Sequence, residues 1–442
     1  MPVLQIILSL LSILIIILMF LKPLKGVMLY LIYFFLAPNL IVGDTILGTR
    51  TVALLLLAAF MVTMYKHTPS IVYKQIRPFL LFYGLQFFLI PFSFDANYSL
   101  NAWMLSACKV IFSIILASAI YLENEKQKTN ILVHVFCGIF ILIIGYGLFL
   151  TTMPGLNPYQ MILQPIFGGE FNEAYAAGNS GLSTNITLSE GRLFGRISSV
   201  FNHPMTYVLA IGLFFIFLFA YIRKKWLLCI FLIVTSLAII TSGVRTPIAA
   251  LGITGLFMLI YYRKYKFFFY AILVIGLLLY IVPLISEDAA DYIASIFNSD
   301  DSATKGSSLE MRLSQLDACL KIIADTPFVG KGIDWTGWYM STKGGHPQAL
   351  FFESLLFVVI CNMGFVGIVL WIVFVVSYIK TVHRYFPEKS IRTILYGILV
   401  YYISFAGITG EYGYLPIFMV FYVMVIGVNN ARMRKREMQN LI

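Results

Sequence analysis

The sequence predicts an all-α, polytopic membrane protein with about 13 transmembrane helices, in a range of 12–14. Three observations carry this. Of the 442 residues, 60% are hydrophobic, 16% aromatic and only 12% charged, whereas soluble domains carry roughly 25% charged residues. Apolar runs of about 17 to 22 residues recur along the whole chain, each long enough to cross a ~30 Å hydrocarbon core. The basic residues gather in alternate connections between those runs.

The runs fall at 3–21, 26–42, 51–65, 78–94, 101–122, 130–151, 203–222, 226–243, 246–262, 267–285, 349–379, 391–409 and 413–429. The first is too long for a signal-peptide core and lacks a small-residue cleavage site, so it reads as a span. The second is weak, and 349–379 is longer than one crossing needs.

Charge sets the expected orientation. The connections that carry the clusters Lys22/Lys25, Lys66 to Arg77, Lys126/Lys128, Arg223 to Lys225, Arg263 to Lys266, Lys380 to Arg392 and Arg432 to Arg436 hold 21 of the 31 Lys and Arg, but 4 of the 20 Asp and Glu. The positive-inside rule makes these connections cytoplasmic, with the N-terminus outside and the C-terminus in the cytoplasm. The net charge of +11 is thus a topology signal, and no nucleic-acid partner is expected. Cys108, Cys137, Cys229 and Cys361 fall in spans and Cys319 stands alone in an outer loop, so no disulfide framework or CxxC metal site is expected.

The chain reads as a single integral membrane domain, 1–442, with two sizeable outer loops. The first, 152–202, is rich in Gly, Asn, Ser and Pro. The second, 286–348, predicts an amphipathic helix over 308–324. Ser307 and Glu310 have capping-box spacing, and Leu309, Leu313, Leu316, Leu320 and Ile323 recur at helical intervals. Thr326-Pro327 ends the helix, and "VGKG" at 329–332 reads as a turn. Elaborated outer loops over minimal inner ones suit an enzyme, or a receptor for something displayed on the outer leaflet, better than an ion channel.

Spans running inward present their N-termini outside, where free N–H groups and the helix dipole attract anions. Four such starts also carry a basic or titratable residue: Arg50-Thr51, His203-Pro204, Arg245-Thr246-Pro247 and His346-Pro347. Proline suits the first helical turn. Arg192 and Arg196, in "GRLFGRISSVFNHP", precede the second of these starts. Cations gathered at helix mouths on an otherwise acidic face point to a bound anion.

Each candidate has a plainer reading beside the functional one. Arg245 can snorkel to lipid phosphates, although the short connection "TSGVRTP" keeps its guanidinium near the bundle. Arg192 and Arg196 can be solvated loop residues, Arg50 an interfacial anchor, and His203 a helix cap. His346 follows Gly344-Gly345 and precedes a proline at an expected helix start, where the dipole disfavours imidazolium; a neutral imidazole there is a candidate base. Lys109 is an intramembrane charge and hence a functional candidate. Glu353 and Glu411 read as packing or capping groups, and "NSDD" at 298–301 lacks the spacing of a metal cage. On a wheel starting at Leu309, Arg312 falls at about 300°, inside the apolar stripe, and Lys321 at about 120° on the solvated side. A charge on a packing face needs a partner, so Arg312 is expected to turn inward, toward the same anion or toward a structural acidic partner.

Four stretches resemble the bacterial O-antigen polymerase/ligase superfamily, which comprises Wzy-type polymerases and O-antigen ligases. They are "GRISSVFNHPM", "TSGVRTPIAAL", "SSLEMRLSQLDACLKIIADTPFVGKGI" and "GGHPQALFFESL", in that order along most of the chain. The resemblance implies a metal-independent, inverting glycosyltransferase without cofactors, in a bundle of the membrane-glycosyltransferase (GT-C) kind in the bacterial inner membrane. It implies a donor glycan on undecaprenyl diphosphate, and membrane lipids, a chain-length regulator and a flippase as further partners. Diphosphate-binding arginines carry over to Arg245 and Arg196, and the histidine near the acceptor hydroxyl to His346. Two features depart from the family pattern: Pro347 stands where Asn usually follows the His, and the glycines of "NMGFVG" at 362–367 come later than usual. The leading expectation is a polymerase of lipid-linked oligosaccharide repeats for O-antigen, capsule or exopolysaccharide. A ligase moving the glycan to lipid A core or another acceptor is the alternative, and a lipid-linked oligosaccharide flippase a third reading. Against the last, a transporter buries charges at mid-membrane and often shows repeats.

Overall fold

The computed structural model describes residues 21–36, 69–122, 126–153, 197–263 and 309–440, apart from single gaps at 202, 223, 243 and 412, together with isolated positions in 10–18 and 158–161. Among these residues the protein is helical and has no strand. The helices are α1 (Pro23–Leu36), α2 (Ser70–Phe87, followed by a 3-10 turn at Ile90–Phe92), α3 (Ala96–Leu122), α4 (Lys126–Thr152), α5 (Pro204–Tyr221) and α6 (Lys225–Thr241). They continue with α7 (Thr246–Tyr261), α8 (Leu309–Ile322), α9 (Trp335–Lys343), α10 (Leu355–Tyr385), α11 (Lys389–Thr409) and α12 (Leu415–Asn440). The stretches of α2 with its 3-10 turn, α4, α10 and α11 are long and apolar enough to cross a membrane, and five shorter apolar helices accompany them. This is a multi-pass membrane protein. The runs 51–65 and 267–285, Arg50 and the NSDD stretch lie outside the described residues.

Helix α12 is the central pillar. Residues 414–430 are buried without interruption, as expected of a helix apolar on all sides. It packs on α3, α5 and α11, and its aromatics interlock with α2: Phe79 meets Phe418 and Tyr422 at 5.8 and 5.3 Å. One turn further on, Gln75 and Asn430 exchange amide hydrogen bonds of 3.0 and 2.6 Å, which satisfies a polar pair that would be costly alone in the core. α2 and α12 are therefore antiparallel.

The same logic fixes the other pairs. Tyr378 OH donates to Leu395 O at 2.8 Å, while Trp371 stacks on Tyr402 at 6.3 Å, so α10 and α11 run antiparallel. Tyr401 OH donates to Val208 O at 3.0 Å, while Gly397 faces Ile216, which makes α5 antiparallel to α11. Lys389 Nζ sits over the Tyr261 and Tyr262 rings at 5.6 and 5.1 Å, while Gly397 faces Met258 and Thr254, so α7 is antiparallel to α11 as well. Residues 122 and 126, 221 and 225, 261–263 and 385–389 therefore share one end of the bundle, the basic end. Residues 87–96, 203–204, 242–246 and 409–415 share the other, the loop end.

Three sequence expectations are corrected. Helix α2 begins at Ser70 and not near 78: Lys74 and Arg77 lie on its exposed face, and long basic stems let a helix extend past the apolar core. His346-Pro347 does not open a helix. His346 and Leu350 exchange backbone hydrogen bonds of 2.8 and 2.9 Å, and α10 starts at Leu355, capped by Ser354 Oγ. Cys319 is not alone: it interacts with the Cys361 side chain, and both are fully buried in one cluster, as free thiols.

Helix α10 is broken at Gly364 (φ 59°, ψ −153°), which divides its 31 residues into a short loop-end segment and a long one. That explains why the apolar run seemed too long for one crossing.

Candidate active site

A layer formed by 309–354 covers the loop end. Its core joins Ala318, Cys319 and Ile323 to Trp335, Phe352 and the short segment of α10. The layer is spliced into the α10 break. Lys331 N–H donates to Cys361 O at 2.8 Å and Gly332 N–H to Asn362 O at 2.9 Å; Phe365 N–H donates to Pro327 O and Val366 N–H to Phe328 O, both at 3.0 Å. "PFVGKG" thus satisfies the backbone groups that the break exposes, as buried peptide groups require. Two glycines permit the approach: a Cβ on Gly330 would lie 2.6 Å from the Gly364 nitrogen, and one on Gly364 would collide with the Pro327 carbonyl. On the opposite side, Phe94 N–H donates to Lys331 O at 2.7 Å and Ser99 Oγ to Ile333 O at 3.1 Å.

Helix α8 forms where the periodicity predicts it, but its packing face is rotated. Gln315, Ala318, Cys319 and Ile323 are buried, whereas Leu313 and Leu320 are exposed. The buried arc is set by the short α10 segment. Arg312 lies at the flank of that arc, half-buried, and turns inward as expected. Its Nη1 donates to Glu353 O at 3.0 Å and its Nη2 to Ile408 O at 2.8 Å. These partners are main-chain carbonyls in the loop before α10 and in the last turn of α11.

Arg245 stands at the N-cap of α7, half-buried, with Pro247 in the first turn, as the sequence predicts. The antiparallel register of α7 and α11, continued from Lys389 and Gly397, brings Arg245 opposite the final turns of α11, where Ile408 accepts Arg312. Two arginines far apart in sequence therefore lie at the same end of α11. Ile197 N–H donates to Ser242 O at 3.2 Å, tying the segment before α5 to the Arg245 turn. Arg192 and Arg196 themselves lie outside the described residues. Lys109 belongs to α3, thirteen residues past Ala96 and so roughly 20 Å along the helix, deeper than a start near 101 implies; its side chain is outside the described residues.

His203 is the α5 cap: its Nδ1 accepts Met205 N–H at 3.1 Å. Glu411 also caps, accepting Leu415 N–H at 2.8 Å, Gly413 N–H at 3.2 Å and Tyr402 OH at 3.3 Å. His346 is held in the loop between α9 and α10, its ring 5.5 Å from that of Tyr339 and 6.1 Å from that of Phe352. Its Nδ1 accepts Gln348 N–H at 3.2 Å and Ala349 N–H at 3.0 Å. Desolvation holds the imidazole below its ordinary pKa of 6.5. Burial, and not the helix dipole expected from sequence, thus favours the neutral ring. Because Nδ1 accepts twice, the neutral tautomer carries its proton on Nε2. In the resting loop His346 is therefore an Nε2–H donor; acting as a base at Nε2 would require giving up both backbone bonds.

Sequence reasoning missed a cavity of about 420 Å³ between α2, α3, α9, α10 and the start of α12, lined among others by Asp334, Asn362, Trp371 and Glu411. Its residues come from five elements and share no motif. Among the described residues, no group of His, Cys, Asp and Glu could hold a metal ion.

Residues 230–372, from within α6 to the long segment of α10, match the sequence model of the O-antigen ligase family. The stretch contains Arg245, Arg312 and His346. The match over these residues supports the O-antigen polymerase/ligase superfamily. Such an O-antigen ligase-type domain supports glycan transfer of the ligase or polymerase kind and lipid-linked glycan substrates. No curated protein matches the chain.

Proposed function

We propose that the protein is a polysaccharide polymerase that joins undecaprenyl-diphosphate-linked oligosaccharide repeats at the outer face of the inner membrane and releases undecaprenyl diphosphate. The observation that carries this reading is Arg312. Its guanidinium couples the loop bearing His346 to the mouth at which Arg245 starts α7. In the proposed reaction an acceptor sugar hydroxyl attacks the anomeric carbon of the donor, and the bond to the lipid diphosphate breaks with inversion and without a metal. Arg245 and Arg312 meet the charge developing on the departing diphosphate, with Arg192, Arg196 and Lys109 as further contacts to the lipid-linked substrate. Cations fixed in advance are effective there because they need no reorganisation as the charge develops. His346 takes the proton of the acceptor hydroxyl at Nε2, which has no bond to the described residues, after its own ring proton moves to Nδ1 and the two backbone bonds to Gln348 and Ala349 are given up.

The loop end then faces the periplasm and the basic end the cytoplasm, in keeping with the positive-inside distribution. A second reading, transfer of the finished glycan to lipid A core or another acceptor, is favoured by the matching family's description as an O-antigen ligase. Gel analysis of surface glycan from a deletion strain separates the two. A lost ladder with one repeat still attached supports the polymerase. No attached repeat, with lipid-linked polymer accumulating, supports the ligase. An unchanged ladder overturns both. In a complemented strain, Arg245→Ala should lower transfer by about 100-fold at normal membrane levels; near-normal glycan would remove the diphosphate role.

A further inference from the structure

The cavity beside the α10 break lies at the loop end, and among the described residues no Lys, Arg or His lines it. The charged residues described in its lining, Asp334 and Glu411, are both acidic, which disfavours a diphosphate there. It is not a dry apolar void either. Trp371 and Phe82 form an aromatic wall, their rings edge-on at 4.9 Å. Polar groups line it as well. Asp334 is steadied by Tyr98 OH, which donates to its Oδ2 at 3.1 Å. Asn362 accepts Thr336 N–H on Oδ1 at 2.9 Å, which orients its NH₂ as the donor available at the wall. Among the described residues Gln86 reaches the Met363 sulfur, a weak acceptor at 3.5 Å.

A ring compound with one apolar C–H face and a rim of hydroxyls matches this lining. Hydroxyls donate to carboxylates and accept from amide NH₂ groups, and aromatic faces cover C–H surface. The volume is at the lower end of small-molecule sites, roughly 300–1,000 Å³. The cavity also adjoins the proposed reaction centre: Thr336 and Met340 of α9 line it, while Tyr339 of the same helix packs against His346.

We propose that this cavity is a glycan subsite that takes one uncharged sugar ring of the lipid-linked oligosaccharide, with hydroxyls on Asp334 and Asn362 and an apolar face against Trp371. It rests on the glycan-transfer reading and adds a selection rule: a uronic acid at this position is refused by the two carboxylates.

The test uses the full-length purified protein and the oligosaccharide that mild acid releases from the producing strain's lipid-linked pool. Binding is read by saturation-transfer NMR. Ala102→Phe fills the cavity from the α3 wall. Asp334→Asn keeps the shape and tolerates the left-handed backbone there (φ 60°), but removes the charge. The proposal expects no detectable binding by Ala102→Phe and at least fivefold weaker binding by Asp334→Asn, each with a wild-type unfolding midpoint. Wild-type protein that fails to bind the oligosaccharide, or undiminished binding by both variants, overturns it. Arg245→Ala and Arg312→Ala should bind the free oligosaccharide normally while losing transfer. If they bind and also transfer normally, the reaction-centre reading falls and the subsite stands.

Discussion

Arg312 donates to the carbonyl oxygen of Ile408 at 2.8 Å, across 96 residues of sequence. A loop-layer side chain thereby closes the last turn of a membrane helix. The carbonyls of that turn have no partner within the helix, and a charged donor is a strong replacement. Arg312→Lys keeps the charge but loses the fork that reaches Glu353 and Ile408 together. Transfer should fall at least tenfold at matched membrane levels. Lys321, paired with exposed Asp317 one turn away, is the control: Lys321→Ala should cost about 0.5 kcal/mol or less and leave the ladder intact.

His346 yields a prediction from its two ring nitrogens. Asn at 346 places an acceptor where Nδ1 stands and nothing where Nε2 stands; Gln reaches the Nε2 position but abandons the cap. His346→Asn should preserve the loop and lose transfer. A fully active His346→Asn variant would make the histidine a turn cap and nothing more.

The pH response of that residue has a definite sign. Its folded pKa is lowered by desolvation, so the stabilisation is complete above the unfolded value of 6.5 and is lost as pH falls through the lowered folded value. Protonation also sets an N–H on Nδ1 against those of Gln348 and Ala349. Transfer should be flat near neutrality and decline on the acid side, with an NMR-titrated midpoint for His346 below 6.5. A midpoint above 6.5 would contradict the geometry.

Gly364→Ala should be the most damaging single-methyl change where the loop layer joins α10. Its backbone region is essentially glycine-only, costing about 1–3 kcal/mol for other residues, and the added Cβ meets Pro327 and Phe328 main chain. Thermal unfolding in detergent should show a loss of about 3 kcal/mol or more. A wild-type midpoint would mean that the splice tolerates displacement.

Much of this architecture is legible from sequence because it is locally encoded. The starts of α5 and α7 carry an X-Pro signal, and the α8 stripe carries its own period. The same X-Pro signal misleads at His346-Pro347, where a reciprocal backbone pair to Leu350 overrides it. The rotation of α8 is invisible in its leucines because the partner surface, the short α10 segment, is known only in three dimensions. "VGKG" and "NMGFVG" are each readable as glycine motifs; that Gly330 faces Gly364 is not. Likewise Arg312 can be read as inward-facing, but its partners are two backbone carbonyls, groups that every residue offers and no side-chain pattern marks.

The break at Gly364 has a consequence for biogenesis. The residues of α10 form one long apolar segment, which the insertion machinery meets as a continuous helix. The splice supplies its missing hydrogen bonds from 327–332, a stretch synthesised earlier and held on the loop side. The segment can therefore partition into lipid first and bend only when that stretch docks, which makes docking a late, concerted step of assembly. Chains with a damaged loop should accumulate in the membrane at full length yet remain sensitive to protease, inserted but not matured.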